Sequence, residues 1–399
     1  MLHFASAPGW VFLLSLLASP LVAQPIDNFP DLLAYAEEQD PQLQNQALSV
    51  EAARLNHDAI GQWEPLELDY QGGQINAGVY DNFLTVRQNL NHFFNRRPRH
   101  ELVDAQVAEA EASKEVIRNE LAYRLSVAYD EWRYQLELTA LQDSVLTRYL
   151  AVDDGLANDD DPERPTAIGQ ALLDRKIRAV RRNRALAASL AARAETEVRR
   201  LSLLPPERKL TPDFLSFPPP AVTPADSTGA YTRELRARRE TLRREAILSD
   251  KLSREIDVTA GYFVQGLEQE YAFHGLALTL GVPLDRRESR VEVRQLNLER
   301  EQLGNRAQSL SQLRTRRLAA LDATIADLRG ALAATARDAE DDDQLIRNAR
   351  RQLNDGTINV LTFRQLTETQ LDDRQEYLGQ LRQLYLLVRE RSYLVNLQF

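Results

Sequence analysis

The stretch Ile256-Asp257-Val258-Thr259-Ala260-Gly261-Tyr262-Phe263-Val264-Gln265 decides the architecture of this chain. Ile256, Val258, Ala260, Tyr262 and Val264 share one parity, and Asp257, Thr259, Gly261 and Gln265 the other. That alternation predicts a strand with one apolar and one polar face. After a turn expected near Gly266, Leu276, Leu278, Leu280 and Val282 alternate with Ala277, Thr279 and Gly281. The same arrangement stands 190 residues earlier, where Leu66, Leu68 and Tyr70 alternate with Glu67, Asp69 and Gln71. A turn is expected there across Gly72-Gly73 and Asn76-Ala77-Gly78, before Leu84, Val86 and Leu90 alternate with Thr85, Arg87 and Asn89. The same offset sets Phe83 on Phe273, Phe94 on Leu284 and Asn95-Arg96-Arg97 on Asp285-Arg286-Arg287. A constant offset carrying strands, turn and basic exit together reads as an internal duplication. Each run is about 9–12 residues long, the length a tilted strand needs to cross a bilayer.

A long helical pattern follows each basic exit. Leu121, Leu125, Ala128, Trp132 and Leu136 in the first copy recur mostly at steps of three and four. So do Leu303, Leu310, Leu313, Leu318, Leu321, Ile325, Leu328 and Leu332 in the second. This is the spacing of a seam between packed helices. About 60 residues at 1.5 Å each make a rod of roughly 90 Å. Each rod is expected to stop at a glycine, in Asp153-Asp154-Gly155-Leu156-Ala157 and in Asn354-Asp355-Gly356-Thr357-Ile358, with helix resuming over 166–204 and 359–396. The two glycines are 201 residues apart, 11 more than the strands. Eleven residues is close to three helical turns, so an insertion of that size would keep the apolar faces aligned.

Helices are also expected over Asp31–Gln62 and Tyr231–Arg254, one ahead of each strand pair. Leu204-Pro205-Pro206 and Phe217-Pro218-Pro219-Pro220 mark a linker with little regular structure. Residues 1–23 hold no Asp, Glu, Lys or Arg. They carry the apolar run Val11–Leu17 and place Ala23 before Gln24, the pattern of a secretory signal peptide, although only the amino terminus and His3 supply positive charge ahead of it. The expected organisation is therefore a leader at 1–23, a first repeat at 24–204, a linker at 205–230 and a second repeat at 231–399.

Composition excludes several functions. A net charge of −10 argues against nucleic acid as a partner. With no cysteine and one methionine, thiolate and thioether ligand sets are excluded. His3, His57, His92, His100 and His274 show no metal-ligand spacing, and no phosphate loop or nucleophile elbow is present, so neither a cofactor nor an enzymatic activity is expected. After the leader, nothing approaches the roughly 20 consecutive apolar residues of a membrane helix, so a membrane crossing would have to be a β-barrel.

The order and duplication of these features resemble the TolC-like outer membrane factor (outer membrane efflux protein) family over essentially the whole mature chain. The landmarks are Asp31-Leu32-Leu33-Ala34-Tyr35-Ala36 through Asn45, Trp63-Glu64-Pro65, Gly281-Val282-Pro283-Leu284 and the two tip glycines. The resemblance implies a mainly α fold with a transmembrane β-barrel contribution, built as long coiled-coil hairpins plus four amphipathic strands in two repeats. It implies a homotrimer sharing one twelve-stranded barrel in the outer membrane of a Gram-negative cell, with helices projecting into the periplasm. The chain would be a passive exit duct for small molecules or ions, working with a periplasmic adaptor and an inner-membrane pump. The hairpin tips that meet an adaptor would be Gly155, Leu156, Gly356, Thr357 and Ile358. Leu66, Leu68, Tyr70, Leu84, Val86, Val258, Tyr262, Leu276, Leu278 and Leu280 would face outer-membrane lipid. Arg96, Arg97, Arg286 and Arg287 would sit at the barrel base, against headgroups or neighbouring chains, or simply solvated at helix starts. Asp153, Asp154, Asp159, Asp160, Asp161 and Asp355 are candidates for an acidic ring at the entrance, a plain solvated loop being the alternative. A periplasmic adaptor and a soluble coiled-coil scaffold are the rival readings; two hairpins and four amphipathic strands argue against both.

Overall fold

The computed structural model describes residues 26, 28–60, 65–76, 79–157, 167–217, 219, 229–267, 271–283 and 285–396. The expected leader, the Trp63-Glu64 landmark and the candidates Asp159, Asp160 and Asp161 lie outside them. In chain order the elements are α1 (Phe29–Gln39), α2 (Pro41–Ala59), β1 (Glu67–Asn76), β2 (Val79–Asn89), α3 (Asn91–Ala157), α4 (Ala167–Ser202), α5 (Ala230–Arg254), β3 (Asp257–Leu267), β4 (Tyr271–Gly281), α6 (Arg287–Asn354) and α7 (Val360–Asn396).

The single helix expected over Asp31–Gln62 is two. Pro41 supplies no N–H, and the Asp40 carboxylate accepts from the amides of Gln42 and Leu43 at 2.8 and 2.9 Å, so the chain is recapped there.

The four strands form one antiparallel sheet in the order β1-β2-β3-β4. Gly72, Gly73 and Gly266, expected at the turns, lie within strands: Gly72 pairs with Asn82, Gly73 with Asp81 and Gly266 with Ala272. The first reversal falls between Asn76 and Val79, in the other stretch expected to turn, and the second between Leu267 and Tyr271. The constant offset also fails past the first strand of each pair. From the start of β1 to the start of β3 it is 190, but the residue opposite that start moves from Arg87 to Gly281, an offset of 194. The long helices start at Asn91 and Arg287, an offset of 196. They hold 67 and 68 residues, so no 11-residue insertion separates them. Most of that apparent difference arises before the helices begin, and much of the rest because Gly155 lies inside α3 whereas Gly356 follows α6.

The helices form a layer that continues the sheet. Next to the strands the packing order is α2-α3-α5-α6, matching β1-β2-β3-β4; farther away it is α4-α3-α7-α6. Three apolar clusters hold this layer. One joins Leu32 and Ala36 of α1, Leu43 of α2, Leu125, Tyr129 and Trp132 of α3, and Val198 of α4. A second joins Val145 and Tyr149 of α3, Leu173 and Ile177 of α4, Ala349 of α6 and Phe363 of α7. The third joins Ile325 and Leu332 of α6 to Leu381, Leu384 and Tyr385 of α7. Leu313, expected in the α6 seam, instead faces outward. Because α3 packs on α5 and α7, the two repeats interleave rather than folding as separate bodies.

Candidate functional site

The sheet has one apolar face, and nothing among the described residues covers it. Directly opposed residues of an antiparallel pair share a face. The register therefore groups Leu68, Val86, Tyr262 and Leu276 in one rung, and Tyr70, Leu84, Val264 and His274 in the next. Ala260 and Leu278, with Gln88, form the rung below, and Val258 with Leu280 the one below that. Leu276 is 86% exposed, Leu68 70% and Leu278 67%. A soluble sheet would bury such a face. The polar groups on it are matched within the sheet: Tyr70 Oη donates to Asn82 Oδ1 at 2.9 Å, and Tyr262 Oη meets His274 Nδ1 at 2.5 Å. The opposite face carries Glu67, Asp69, Thr85, Arg87, Asp257, Thr259 and Thr279.

β1 and β4 are both edges, so their outer N–H and C=O groups have no strand partner among the described residues. The helical layer is open in the same places. α6 packs on α5 and α7, while α2 and α4 close the far flank on α3. Among the described residues, both layers thus end in two unpartnered borders on the same sides.

Asparagines govern the passage from sheet to helix, and their role had no signal in the alternation. Asn89 Oδ1 accepts from the Asn91 amide at 2.8 Å, which caps the start of α3. Asn91 Oδ1 accepts from the Val258 amide at 2.8 Å, and Asn91 Nδ2 donates to Asp257 Oδ1 at 3.1 Å. These bonds tie the head of α3 to the start of β3. The four basic-exit arginines are consequently not equivalent. Arg286 stands at the N-cap position of α6 without a side-chain capping bond and Arg287 opens the helix, its amide donating to Asp285 Oδ1, whereas Arg96 and Arg97 lie nearly two turns inside α3. Arg97 Nε donates to Glu101 at 3.0 Å, and that contact holds the Glu101 carboxyl below the ordinary carboxylate range. Arg96 Nε reaches His100, whose Nδ1 lies 3.2 Å from His57 Nε2 on α2.

At the other end of the molecule the two hairpin ends share one apolar cluster, which includes Val152 of α3 and Val360 and Phe363 of α7. The α6–α7 tip follows the sequence closely. Gly356 has φ +69°, its amide donates to the Leu353 carbonyl at 3.2 Å, and the Thr357 amide donates to Gln352 at 2.8 Å. That is a Schellman ending, which needs the left-handed conformation glycine supplies. Asp355, Gly356 and Thr357 are exposed, while Ile358 is half-buried on the tip cluster. The first tip differs: Gly155 and Leu156 belong to the last turn of α3, with Asp153 half-buried and Asp154 beside it.

Midway along the helices, residues of the expected linker are strapped to the bundle. Arg133 of α3, 4% exposed, donates to the Asp213 carbonyl at 2.8 Å, to Asp213 Oδ2 at 3.0 Å, to the Phe214 carbonyl and to Asp130 Oδ1 at 3.2 Å. Asp130, 1% exposed, also accepts from Arg389 of α7 at 2.8 Å. Tyr385 Oη donates to the Ser216 carbonyl at 3.0 Å, and the Leu215 amide donates to Glu137. Burial raises the Glu137 carboxyl above its ordinary range despite that bond and Arg133 nearby. Leu204, Leu210 and Leu215 are buried, and Ile26 pairs with Leu210, so the first half of the linker is ordered packing.

These features define a class by architecture: a duplicated chain whose four-stranded sheet runs into a layer of long helical hairpins, both left open at two borders. This is the fold of the TolC-like outer-membrane channels. The chain superposes on the outer-membrane channel OprN with TM-score 0.70 at 15% identity, over 92% of this chain and 89% of that one. On the open state of the MtrE outer membrane channel of Neisseria gonorrhoeae the TM-score is 0.69 at 15% identity, over 93% and 89%. On the outer membrane protein VceC of Vibrio cholerae it is 0.68 at 12% identity, over 92% and 96%. At such identities the likeness is one of fold. No family model matches the sequence, and no curated protein matches it. No helix among the described residues is long and apolar enough to cross a membrane.

Proposed function

We propose that three copies of this chain close edge to edge into a twelve-stranded barrel in the outer membrane, with the helices continuing it as a periplasmic tunnel for passive exit of small molecules or ions. The single observation that carries this reading is the exposed apolar face on a sheet with two free edges. A lipid bilayer leaves no water for unpaired backbone groups, so a sheet that enters one must close on itself. Four strands are too few for that, and pairing β4 of one copy with β1 of the next removes every edge. The same closure apposes α6 of one copy to the α2 and α4 flank of the next. The polar face then lines a water-filled lumen, as in transmembrane barrels with apolar exteriors. Within this reading, Gly356 and Thr357 are offered to a periplasmic adaptor at the tunnel end and Asp355 adds carboxylates around the axis. An inner-membrane pump supplies the energy.

The test is to purify the mature chain from outer-membrane fractions, weigh it by native mass spectrometry and reconstitute it in planar bilayers. A detergent-dependent trimer with discrete conductance steps is expected. A monomer that stays in solution without detergent and conducts nothing would overturn the reading and favour a soluble scaffold.

A further inference from the structure

The polar face of the sheet carries three phenylalanines that its alternation does not explain. Phe83 and Phe273 both lie opposite Gln265, and Phe263 lies opposite Thr85 and Gly275. All three therefore share a face with Asp69, Arg87 and Thr279, in two adjacent rungs toward the hairpin reversals. The Phe83 and Phe263 rings stack with centroids 5.5 Å apart and planes at 29°. The Phe263 ring reaches over Gly275, where a Cβ would run into it, so the glycine lets the ring lie against the strand. Phe273 is left 54% exposed. Leu267 and Tyr271 continue this apolar group in the last rung, and the rest of this face is small, polar or charged, with Glu67, Asp69, Asp81 and Asp257 set against one cation among the described residues, Arg87.

We propose that Phe83, Phe263 and Phe273 form an aromatic collar inside the outer mouth of the channel that binds lipophilic organic cations in transit. The proposal rests on the channel reading, because only closure turns this face into a lumen. Closure brings nine rings around one axis near an excess of carboxylates. Aromatic faces attract a cation within about 6 Å, and carboxylate rings raise the local cation concentration. A large ion with an apolar shell gains from both, whereas a hydrated alkali cation gains from the carboxylates alone.

The full mature chain in planar bilayers, probed with tetraphenylphosphonium, tests this. Wild type is expected to show concentration-dependent block by tetraphenylphosphonium and much weaker block by tetraphenylborate, an anion of the same shape. The triple variant Phe83→Ala, Phe263→Ala, Phe273→Ala is expected to weaken the cation block about tenfold without lowering open conductance. Phe273→Leu, at an exposed position that keeps an apolar side chain, is expected to weaken it about threefold and keeps the test alive should the triple variant fail to assemble. Conducting wild type that tetraphenylphosphonium does not block, equal block by the anion, or unchanged block in the variants would each overturn the collar while leaving the channel standing. Absence of any conductance in wild type would instead overturn the channel reading, and the collar with it.

Discussion

In the proposed barrel, Leu278→Arg and Thr279→Arg differ by one position along β4 and by the full difference between lipid and water. Leu278 pairs with Ala260 on the apolar face, and Thr279 pairs with Thr259 on the polar one. The apolar run of β4 extends from Val282 to His274, and Leu278 stands four residues from each. At about 3.3 Å per residue it is about 13 Å along the strand from either end, which in the proposed barrel would put it at the bilayer midplane. Arginine on the lipid face costs about 2–4 kcal/mol there and about 0–1 kcal/mol near the interfaces. A cost of 2–4 kcal/mol is about a 30- to 900-fold loss in the insertion equilibrium for each chain, applied three times in a trimer. Val282→Arg, on the same face at its base, should cost less than about 1 kcal/mol. Thr279→Arg should cost nothing measurable for insertion and should shift ion selectivity toward anions. Urea-titrated insertion into lipid vesicles, read by a heat-modifiable shift on gels, measures all three variants. The expected order is Leu278→Arg far below Val282→Arg and Thr279→Arg. If Leu278→Arg inserts like wild type, or if Thr279→Arg is equally damaging, the two faces are misassigned and the barrel argument fails.

Three further outcomes follow from contacts outside the sheet. Arg133→Met should cost about 3–5 kcal/mol, because it leaves the buried Asp130 with Arg389 alone and strips the Asp213 and Phe214 carbonyls of their donor; denaturation in detergent should show it, with faster proteolysis across 211–217, and a loss below about 1 kcal/mol would refute the strap. Gly356→Ala should cost about 1–2 kcal/mol because its φ of +69° is left-handed while the space around it is open; amide exchange should quicken at the tip, and Gly356→Asn should be milder. Glu137 carries a raised pKa, so the folded state holds its proton more tightly than the unfolded chain does. Stability from this group is therefore complete below the unfolded carboxylate pKa and is lost as pH rises through the folded one. Glu137→Gln should stabilise the protein at neutral pH and lose that advantage in acid, where an advantage independent of pH would refute the assignment.

What the sequence disclosed and what it concealed divide along one physical line. Side-chain parity in a strand is fixed by covalent geometry, so both faces of the sheet could be read from residues such as Val258, Tyr262 and Leu278 before any coordinates. Long helices with few breakers were equally plain. Features set by distant partners were not. Arg133 and Arg124 look alike along α3, yet only Arg133 meets residues 213 and 214, some 80 positions away, and is buried by them. Asp154-Gly155 and Asp355-Gly356 are the same dipeptide, yet α3 continues through the first and α6 stops before the second. Glycine permits a left-handed ending without requiring one, and a helix tolerates it for about 1 kcal/mol. The matched Arg-Arg pairs misled for a similar reason, since the head of α3 is set by Asn89 and Asn91 rather than by charge.

The same logic explains why the composition looks like that of a protein in water. Only alternate residues of four short strands face outward on the apolar side, so the candidate lipid contact is a dozen or so side chains in a chain of 399 with mean hydropathy −0.43. An average cannot register a surface that thin, whereas a membrane helix would have dominated it. The informative quantity is the position of the apolar side chains relative to free backbone edges. Here a greasy face and two unpaired borders coincide on one sheet, and the helical layer repeats the same two borders. A lone chain leaves both exposed; the closure proposed above, with copies of itself in lipid, would remove them together.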